Sequence, residues 1–410
     1  MTAEARPRWA TTAVMIYAGL GLLISIGLAF VFGILGAADY LQGDAQAGFF
    51  GVWTSYAFGV IAITGLPAIV LGIKILWLGR SDSERTPSHS WIAAFLLYPI
   101  GLTFGYVIFE RHGIPPLLGT LAQLSALGGP ILAMAVLLQI SGQAMSALRA
   151  WGHFLLGLWL IPTLAFIIEL VLLIAGIFIL VGGLLLSPSG QQLLGQLQAP
   201  PGRLFSQPPP ELVVQAVSQP WVIAMALLFI SILIPVVEEG LKSIAIWPIL
   251  RRSPGASQAF IGGALGGLGF ALVEGMFLTQ PDMSWLPTAF IRGGASMMHA
   301  LATGITSWGL AEAVVRRRFW RLPAAFAVAI GLHGLWNLSA VSLGVSQLGY
   351  DAGFSSITPT LENLLTVTGA AMLGFLSLLA AGSLPIIARR LAAQSAQGEL
   401  GGDQRIQPLN

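Results

Sequence analysis

The sequence predicts an all-α protein, a polytopic integral membrane bundle of about ten transmembrane helices. Of the 410 residues, 56% are hydrophobic and only 9% are charged, and the mean hydropathy of +0.82 lies far outside the balance of a soluble globular protein. Apolar runs of about 20 residues or more recur along nearly the whole chain, and each is long enough to cross a hydrocarbon core as a helix. A segment in lipid must satisfy its backbone polar groups internally, so continuous apolar runs favour helices.

Polar, charged or proline-rich connections separate the apolar runs and set the order of the predicted helices. The first run follows Arg6 and Arg8 and is too long for the apolar region of a cleaved signal peptide, so we interpret it as a retained helix. In chain order the predicted spans are residues 11–36, 56–78, 91–109, 116–140, 154–184, 221–249, 258–278, 288–314, 322–346 and 363–387.

The basic residues of the connections fall on one side of this arrangement and are scarce on the other. That side holds Arg80, Arg85, Arg149, Arg251, Arg252, the arginines between positions 316 and 321, Arg389 and Arg390. By the positive-inside rule it is cytoplasmic, which predicts both termini inside (N-in/C-in) and a multi-pass protein of a bacterial inner membrane. The same placement accounts for the net charge of +2, so we expect no nucleic-acid partner.

A proline-rich stretch separates the first five predicted helices from the last five. We expect residues 1–186 to form an N-terminal membrane region of unknown role, residues 187–220 an extracytoplasmic connection, residues 221–346 a catalytic core, and residues 347–410 the last helix with a cytoplasmic polar tail. No internal repeat supports the repeated halves that are common in transporters. The chain has no cysteine, which excludes disulfides, a thiolate zinc site and a cysteine nucleophile.

Charged residues in the middle of a predicted span are costly and therefore indicate function. The sixth span contains IPVVEEGLKSIAIW, which places Glu238, Glu239 and Lys242 within the membrane. Lys242 follows the two glutamates by four and three residues, so on a helix it can reach either carboxylate and offset the cost of burying two acids. Adjacent carboxylates in a site of low dielectric are expected to titrate as a coupled pair.

The three following spans add further polar groups. Gly262, Gly266, Phe270 and Glu274 lie four residues apart on one face of the seventh span, where the glycines let a neighbouring helix approach closely. The other polar groups are His299 in the eighth span and, one helical turn apart, His333 and Asn337 in the ninth.

Three further polar residues lie in the spans and are not assigned to the site. We expect Arg292 to be a boundary residue that extends outward to the membrane interface, and Thr303 to bond back to its own helix. Glu169, in the sequence FIIELVLL of the fifth span, is an isolated acid for which the sequence indicates no partner.

The chemistry that these groups can perform is the activation of water. A glutamate can take a proton from water, while the imidazoles and the Asn337 amide can donate to the oxyanion of a tetrahedral intermediate. His299 and His333 with Glu239 could instead hold a zinc ion with an open position, which would generate hydroxide directly. The sequence leaves both mechanisms open.

The ordered motifs EExxK at Glu238–Lys242, FxxxE at Phe270–Glu274, a histidine at His299 and HxxxN at His333–Asn337 resemble those of the PrsW family. This family of intramembrane proteases is related to the CAAX-processing and bacteriocin-immunity membrane proteases. The resemblance covers residues 221–345. It implies a glutamate-dependent protease that acts on membrane-embedded or membrane-anchored substrates, as in regulated cleavage of anti-sigma factors.

We therefore expect Glu238 or Glu239 to be the general base and Glu274 to orient or protonate. In the same hypothesis His299 and His333 polarise the carbonyl or bind metal, and Asn337 supports the oxyanion. Neither an HExxH zinc motif nor a GxSG serine motif is present. The alternatives are a proton- or cation-coupled transporter, since buried Glu, His and Lys also form proton relays, and a membrane scaffold without catalysis.

Overall fold

The computed structural model describes residues 8–79, 90–109, 116–142, 145–186, 191, 219–250, 253–279, 285–351 and 359–403, and these residues contain no strand. They form ten long helices. In chain order these are α1 Arg8–Leu41, α2 Ala45–Leu76, α3 Ser90–Phe109, α4 Pro116–Ser141, α5 147–186, α6 Pro220–Leu250, α7 Ala256–Leu278, α8 Trp285–Arg316, α9 Arg321–Asp351 and α10 Pro359–Asp403.

Nine of the helices in the described part of the chain are long and apolar enough to cross a membrane. The exception is α8, which carries Arg292, His299, Thr303 and Glu312. The prediction of an all-α, multi-pass membrane protein is thus confirmed, whereas the orientation of its termini stays a prediction. Most of the expected connection at 187–220 and several of the arginines used to predict the topology lie outside the described residues.

α7 lies at the centre of the bundle and α1 at its periphery. In the most apolar window of each helix, 78% of α7 is buried inside the protein against 17% of α1. Small residues allow this central position: a methyl group at Gly267 would come within 2.5 Å of the His299 carbonyl oxygen, and one at Gly266 within 2.5 Å of Ala245. Gly267 therefore lets α8 pack closely on one side of α7, and Gly266, from the predicted stripe, lets α6 pack on the other.

Two helices that flank the centre contain a π-helical turn, Leu156–Leu160 in α5 and Phe229–Leu233 in α6. In α6 the turn is followed by Pro235, which has no N–H to bond the preceding turn. The wider turn accommodates the proline and leaves backbone carbonyl groups for other partners. The turn ends five residues before Glu238, so it fixes how the two adjacent glutamates face the neighbouring helices.

Candidate functional site

Four of the predicted site residues meet in the interior of the bundle. Glu238 and Glu239 from α6, His299 from α8 and His333 from α9 each offer one side-chain oxygen or nitrogen, and these atoms all lie within 4.8 Å of one another. All four residues are buried, with exposed fractions between 0% and 5%. The sequence predicted these residues, and the packing of α6 against α8 and α9 brings them together.

Lys242 is the centre of this cluster. Its Nζ lies 2.7 Å from Glu238 Oε2, 2.9 Å from Glu239 Oε1 and 2.8 Å from His299 Nδ1. The side chain is fully buried, and the ammonium group lies 4.1 Å from the centre of the Phe270 ring. An ammonium has three hydrogens to donate, so the three polar contacts use all of them.

The partners of the two histidines decide where each ring carries its hydrogen when neutral. Lys242 can only donate, so His299 Nδ1 accepts, and the hydrogen belongs on Nε2, which lies 2.7 Å from Glu274 Oε2. His333 Nδ1 lies 3.0 Å from Glu239 Oε1 and donates to that carboxylate. The His333 Nε2 lone pair is therefore left facing Glu238 Oε2, at 3.8 Å.

The two adjacent glutamates differ in how fully they are bonded. Glu239 is completely buried; its Oε1 accepts from Lys242 and His333, and its Oε2 accepts from Thr303 Oγ1 at 3.3 Å. The expectation that Thr303 bonds to its own helix is therefore wrong. Glu238 keeps a 7% exposed side chain, and its ion pair with Lys242 and its contact with His333 Nε2 both involve Oε2. Glu239 is thus a fixed anchor, whereas Glu238 retains an oxygen for other partners.

Glu274 extends the cluster toward α8. Its Oε2 lies 2.5 Å from Arg292 Nη2 as well as 2.7 Å from His299 Nε2. The Arg292 side chain is only 11% exposed, so the expectation that it extends outward to the interface is wrong: the carboxylate of Glu274 draws it inward. The Arg292 Nε is buried and has no acceptor among the described residues, so this group remains a free donor.

Asn337 lies one turn from His333 but serves a different partner. Its Nδ2 donates to the Ile230 carbonyl oxygen at 2.9 Å, within the π-helical turn of α6. A buried carbonyl group that lacks its normal helical partner requires such a donor. The contact ties α9 to the turn that precedes Glu238, and the amide nitrogen is engaged there rather than in the cluster.

Glu169 is the group that sequence reasoning left without a partner. Its Oε1 is buried and has no hydrogen-bond partner among the described residues. It shares one face of α5 with Ile161 and Ala165, at intervals of four residues.

The types of side chain in the cluster suit a metal ion, but their arrangement does not. Two imidazoles and two carboxylates are ligands that zinc accepts. However, the Lys242 ammonium already contacts three of the four residues at 2.7–2.9 Å, in the place that a cation bound by them would take. A dication beside this ammonium would be strongly repelled in a site of low dielectric. As arranged, the residues fit an ammonium ion and not a metal ion.

Comparison with known proteins identifies one family. The model of a family described as PrsW family intramembrane metalloprotease matches residues 148–361, which is more than half of the chain. The match includes every residue of the cluster and begins within α5, before the core that the motifs predicted at 221–346. No curated protein and no solved structure matches the chain.

Proposed function

Because the chain belongs to the PrsW family of intramembrane proteases, we propose that it hydrolyses peptide bonds of membrane-embedded substrates with a water molecule that Glu238 activates. The observation that carries this proposal is the unequal bonding of the two glutamates. Glu239 has both oxygens engaged, whereas Glu238 is bonded to Lys242 through Oε2 alone and keeps slight exposure. A general base must have a lone pair free for the proton that it removes.

The attacking water would be held by His333 Nε2 and by the lone pair of Glu238 Oε2 that Lys242 leaves free; the two atoms lie 3.8 Å apart. Both atoms accept hydrogen bonds when His333 carries its hydrogen on Nδ1, so they can orient both hydrogens of one water molecule. As the water oxygen bonds to the scissile carbonyl carbon, one of its protons passes to Glu238. The same proton then passes to the leaving amine nitrogen while the C–N bond breaks, which returns Glu238 to its starting state.

The oxygen that becomes negative in the intermediate needs a donor that is not already engaged. His299 is unsuited to this part because both of its ring nitrogens have partners, Lys242 and Glu274. Arg292 is better suited, since its Nε–H is buried without an acceptor among the described residues. We propose that Arg292 donates to the oxyanion and that Asn337 supports the α6 backbone.

The family description includes a metal, and the donor types of the cluster agree with it, but the position of Lys242 does not. The mechanism proposed for this chain therefore takes no step through zinc. Lys242 supplies the positive charge that lets Glu238 and Glu239 be buried side by side, while His299 and His333 hold the lysine and the base in place.

The setting proposed for this reaction is a bacterial inner membrane, with a membrane-anchored or membrane-embedded peptide as substrate. Regulated proteolysis, such as cleavage of an anti-sigma factor, is the role that the family resemblance supports. The family assignment favours the peptidase over a coupled transporter and over a scaffold without catalysis.

The experiment that tests the proposal compares the N-termini of membrane proteins by mass spectrometry. Cells would express the wild type or the Glu238→Gln/Glu239→Gln double variant at matched abundance. We expect new N-termini, inside or next to transmembrane segments, with the wild type only. Identical profiles from two folded and equally abundant proteins would contradict the peptidase proposal.

A further inference from the structure

A cavity lies where α1 and α5 begin and α6 ends. Its volume is about 260 Å³, and most of the side chains that line it are apolar. Trp9 and Pro248 are exposed along its rim, whereas Thr11 and His153 are buried and form its inner wall. The cavity therefore opens to the surroundings of the bundle, and its described walls include no residue of the Lys242 cluster.

Hydrogen bonds hold two of the walls in place. His153 Nδ1 donates to the Ala245 carbonyl oxygen of α6 at 2.6 Å. The Tyr17 hydroxyl group of α1 donates to the Leu155 carbonyl oxygen at 3.2 Å and accepts from the Leu160 N–H at 3.0 Å, across the π-helical turn of α5. These contacts tie α1 and α6 to α5, so the cavity is pre-formed, as ligand sites usually are.

Basic residues accompany the cavity on all three helices. Arg149 of α5 lines it, and Arg8 begins α1 one residue before the lining residue Trp9. In the sequence, Arg251 and Arg252 follow directly after α6. The described lining contains no acid. The charge around the cavity therefore favours an anion at its mouth.

The position of the cavity along the helices corresponds to a membrane–water interface. It lies at the helix ends whose arginines predict a cytoplasmic location. Trp9, which is 69% exposed, stands beside Arg8 as tryptophan does in the aromatic belts of membrane proteins. The cytoplasmic leaflet contains anionic lipids, and basic pockets between transmembrane helices on that side bind their headgroups.

We propose that this cavity binds one anionic phospholipid, with its phosphate at Arg149 and an acyl chain along the walls that Val14, Leu156 and Ile249 provide. A guanidinium has five N–H donors, so Arg149 can bind a phosphate oxygen and keep its 3.4 Å contact with Ser146 Oγ. A free phosphate would leave the apolar walls unfilled, and an uncharged chain would gain nothing from the arginine.

The bound lipid would join α1 to α5 and α6, which gives the first helix of the N-terminal region a part in holding the core together. The inference does not depend on the reaction proposed for Glu238.

The test measures thermal unfolding of delipidated full-length protein in an uncharged detergent. The probes are phosphatidylglycerol, phosphatidylcholine with the same acyl chains, and inorganic phosphate. Arg149→Gln removes the cation. Gly152→Leu places a side chain in the cavity, since Gly152 lines it and a methyl group there meets Val14 Cγ2 at an ordinary distance of 3.6 Å. The matched controls are Arg390→Gln, at an exposed arginine of α10, and Gly176→Leu on α5, where a methyl group meets no described atom within 4 Å.

We expect phosphatidylglycerol to raise the melting temperature of the wild type in a saturable way, because a ligand of the folded state stabilises it. Phosphatidylcholine should bind at least about fivefold more weakly, and Arg149→Gln should weaken phosphatidylglycerol binding about fivefold, the effect of one basic residue near an anionic lipid. Gly152→Leu should remove the saturable rise. Inorganic phosphate should have no effect, and both control variants should bind the lipid as the wild type does.

Equal stabilisation of the wild type by the two lipids would overturn the inference, because a hydrocarbon chain alone would then account for binding. A rise produced by inorganic phosphate alone would also overturn it, as would wild-type affinity in both Arg149→Gln and Gly152→Leu. If a variant does not fold, the comparison of the two lipids in the wild type decides.

Discussion

The described part of the protein buries acids in two places, and the two places differ in the balance of charge around them. At the junction of α8 and α9, Glu312 is 1% exposed and forms ion pairs with Arg316, Arg318 and Arg321. In the cluster around Lys242, the glutamates outnumber the cations, and histidines complete the contacts. The first arrangement has an excess of donors and no free acceptor, whereas the second leaves an acid with a lone pair to use.

The two ion clusters also differ in how far their charges are exposed to water. The three arginines keep between 26% and 53% exposure, so they close the turn between two helices while their charges remain hydrated. Arg317, between them, adopts a left-handed backbone with φ of 59°. The residues of the Lys242 cluster are buried and come from α6, α8 and α9.

The largest expected difference between the two clusters is in the rate of the reaction. Glu238→Gln should lower the rate of peptide hydrolysis by about 10³-fold, in the range expected for loss of a general base. Glu312→Gln, which removes the same charge from the other cluster, should leave the rate per folded molecule unchanged. Purified variants are compared in lipid vesicles on one substrate. Equal losses in both variants would remove the distinction.

Removal of the central cation should have the next largest effect. Lys242→Met keeps the length of the side chain and leaves Glu238 and Glu239 buried without their ammonium partner, which should lower the free energy of unfolding by about 3–5 kcal/mol. The measurement is denaturant unfolding in mixed micelles, at neutral pH. A loss below about 1 kcal/mol, the size of a surface ion pair, would mean that the lysine is not needed to bury the acids.

The arginine cluster should respond less strongly to the loss of its acid. Glu312→Ala leaves three cations that can each turn toward water, so we expect a loss of about 1–3 kcal/mol of stability. The same unfolding measurement applies, with Arg318→Ala as a control, since Arg318 is the most exposed of the three partners. A larger loss from Glu312→Ala than from Lys242→Met would show that the hydrated cluster, and not the buried one, contributes more to stability.

A predicted effect of similar size concerns the close packing that supports the cluster. Gly267→Ala would place a methyl group 2.5 Å from the His299 carbonyl oxygen, so α8 must shift, at a cost of about 1–3 kcal/mol. Gly374→Ala is the control, because a methyl group there meets no atom within 4 Å. Melting temperatures in detergent compare the two, and equal values would show that α7 and α8 have room to separate.

The sequence was sufficient for the fold class and for four residues that the structure brings together. Apolar runs predicted the helices, and the cost of charge in lipid drew attention to Glu238, Glu239, His299 and His333, which the structure brings together. These residues were found because each is unusual in its own helix. The glycines on one face of α7 predicted that a neighbouring helix packs closely there.

The contacts that sequence reasoning missed depend on the relative rotation of helices. Thr303 and Arg292 each had an ordinary local interpretation, and only their partners Glu239 and Glu274 make them part of the site. The π-helical turns in α5 and α6 change which face of each helix points inward. No periodicity of the residues marks where these turns occur, so the contact of Thr303 with Glu239 of α6 could not be predicted.

We propose that the cation bound by the buried acids is the Lys242 ammonium and not a metal ion. The metal content of active enzyme tests this most directly. Purified protein in lipid vesicles would be assayed for peptide hydrolysis, treated with a chelator, assayed again and analysed for bound metal. The account predicts an unchanged rate and no stoichiometric metal before or after treatment. One tightly bound zinc ion per chain, with activity lost on its removal and restored by its return, would contradict it.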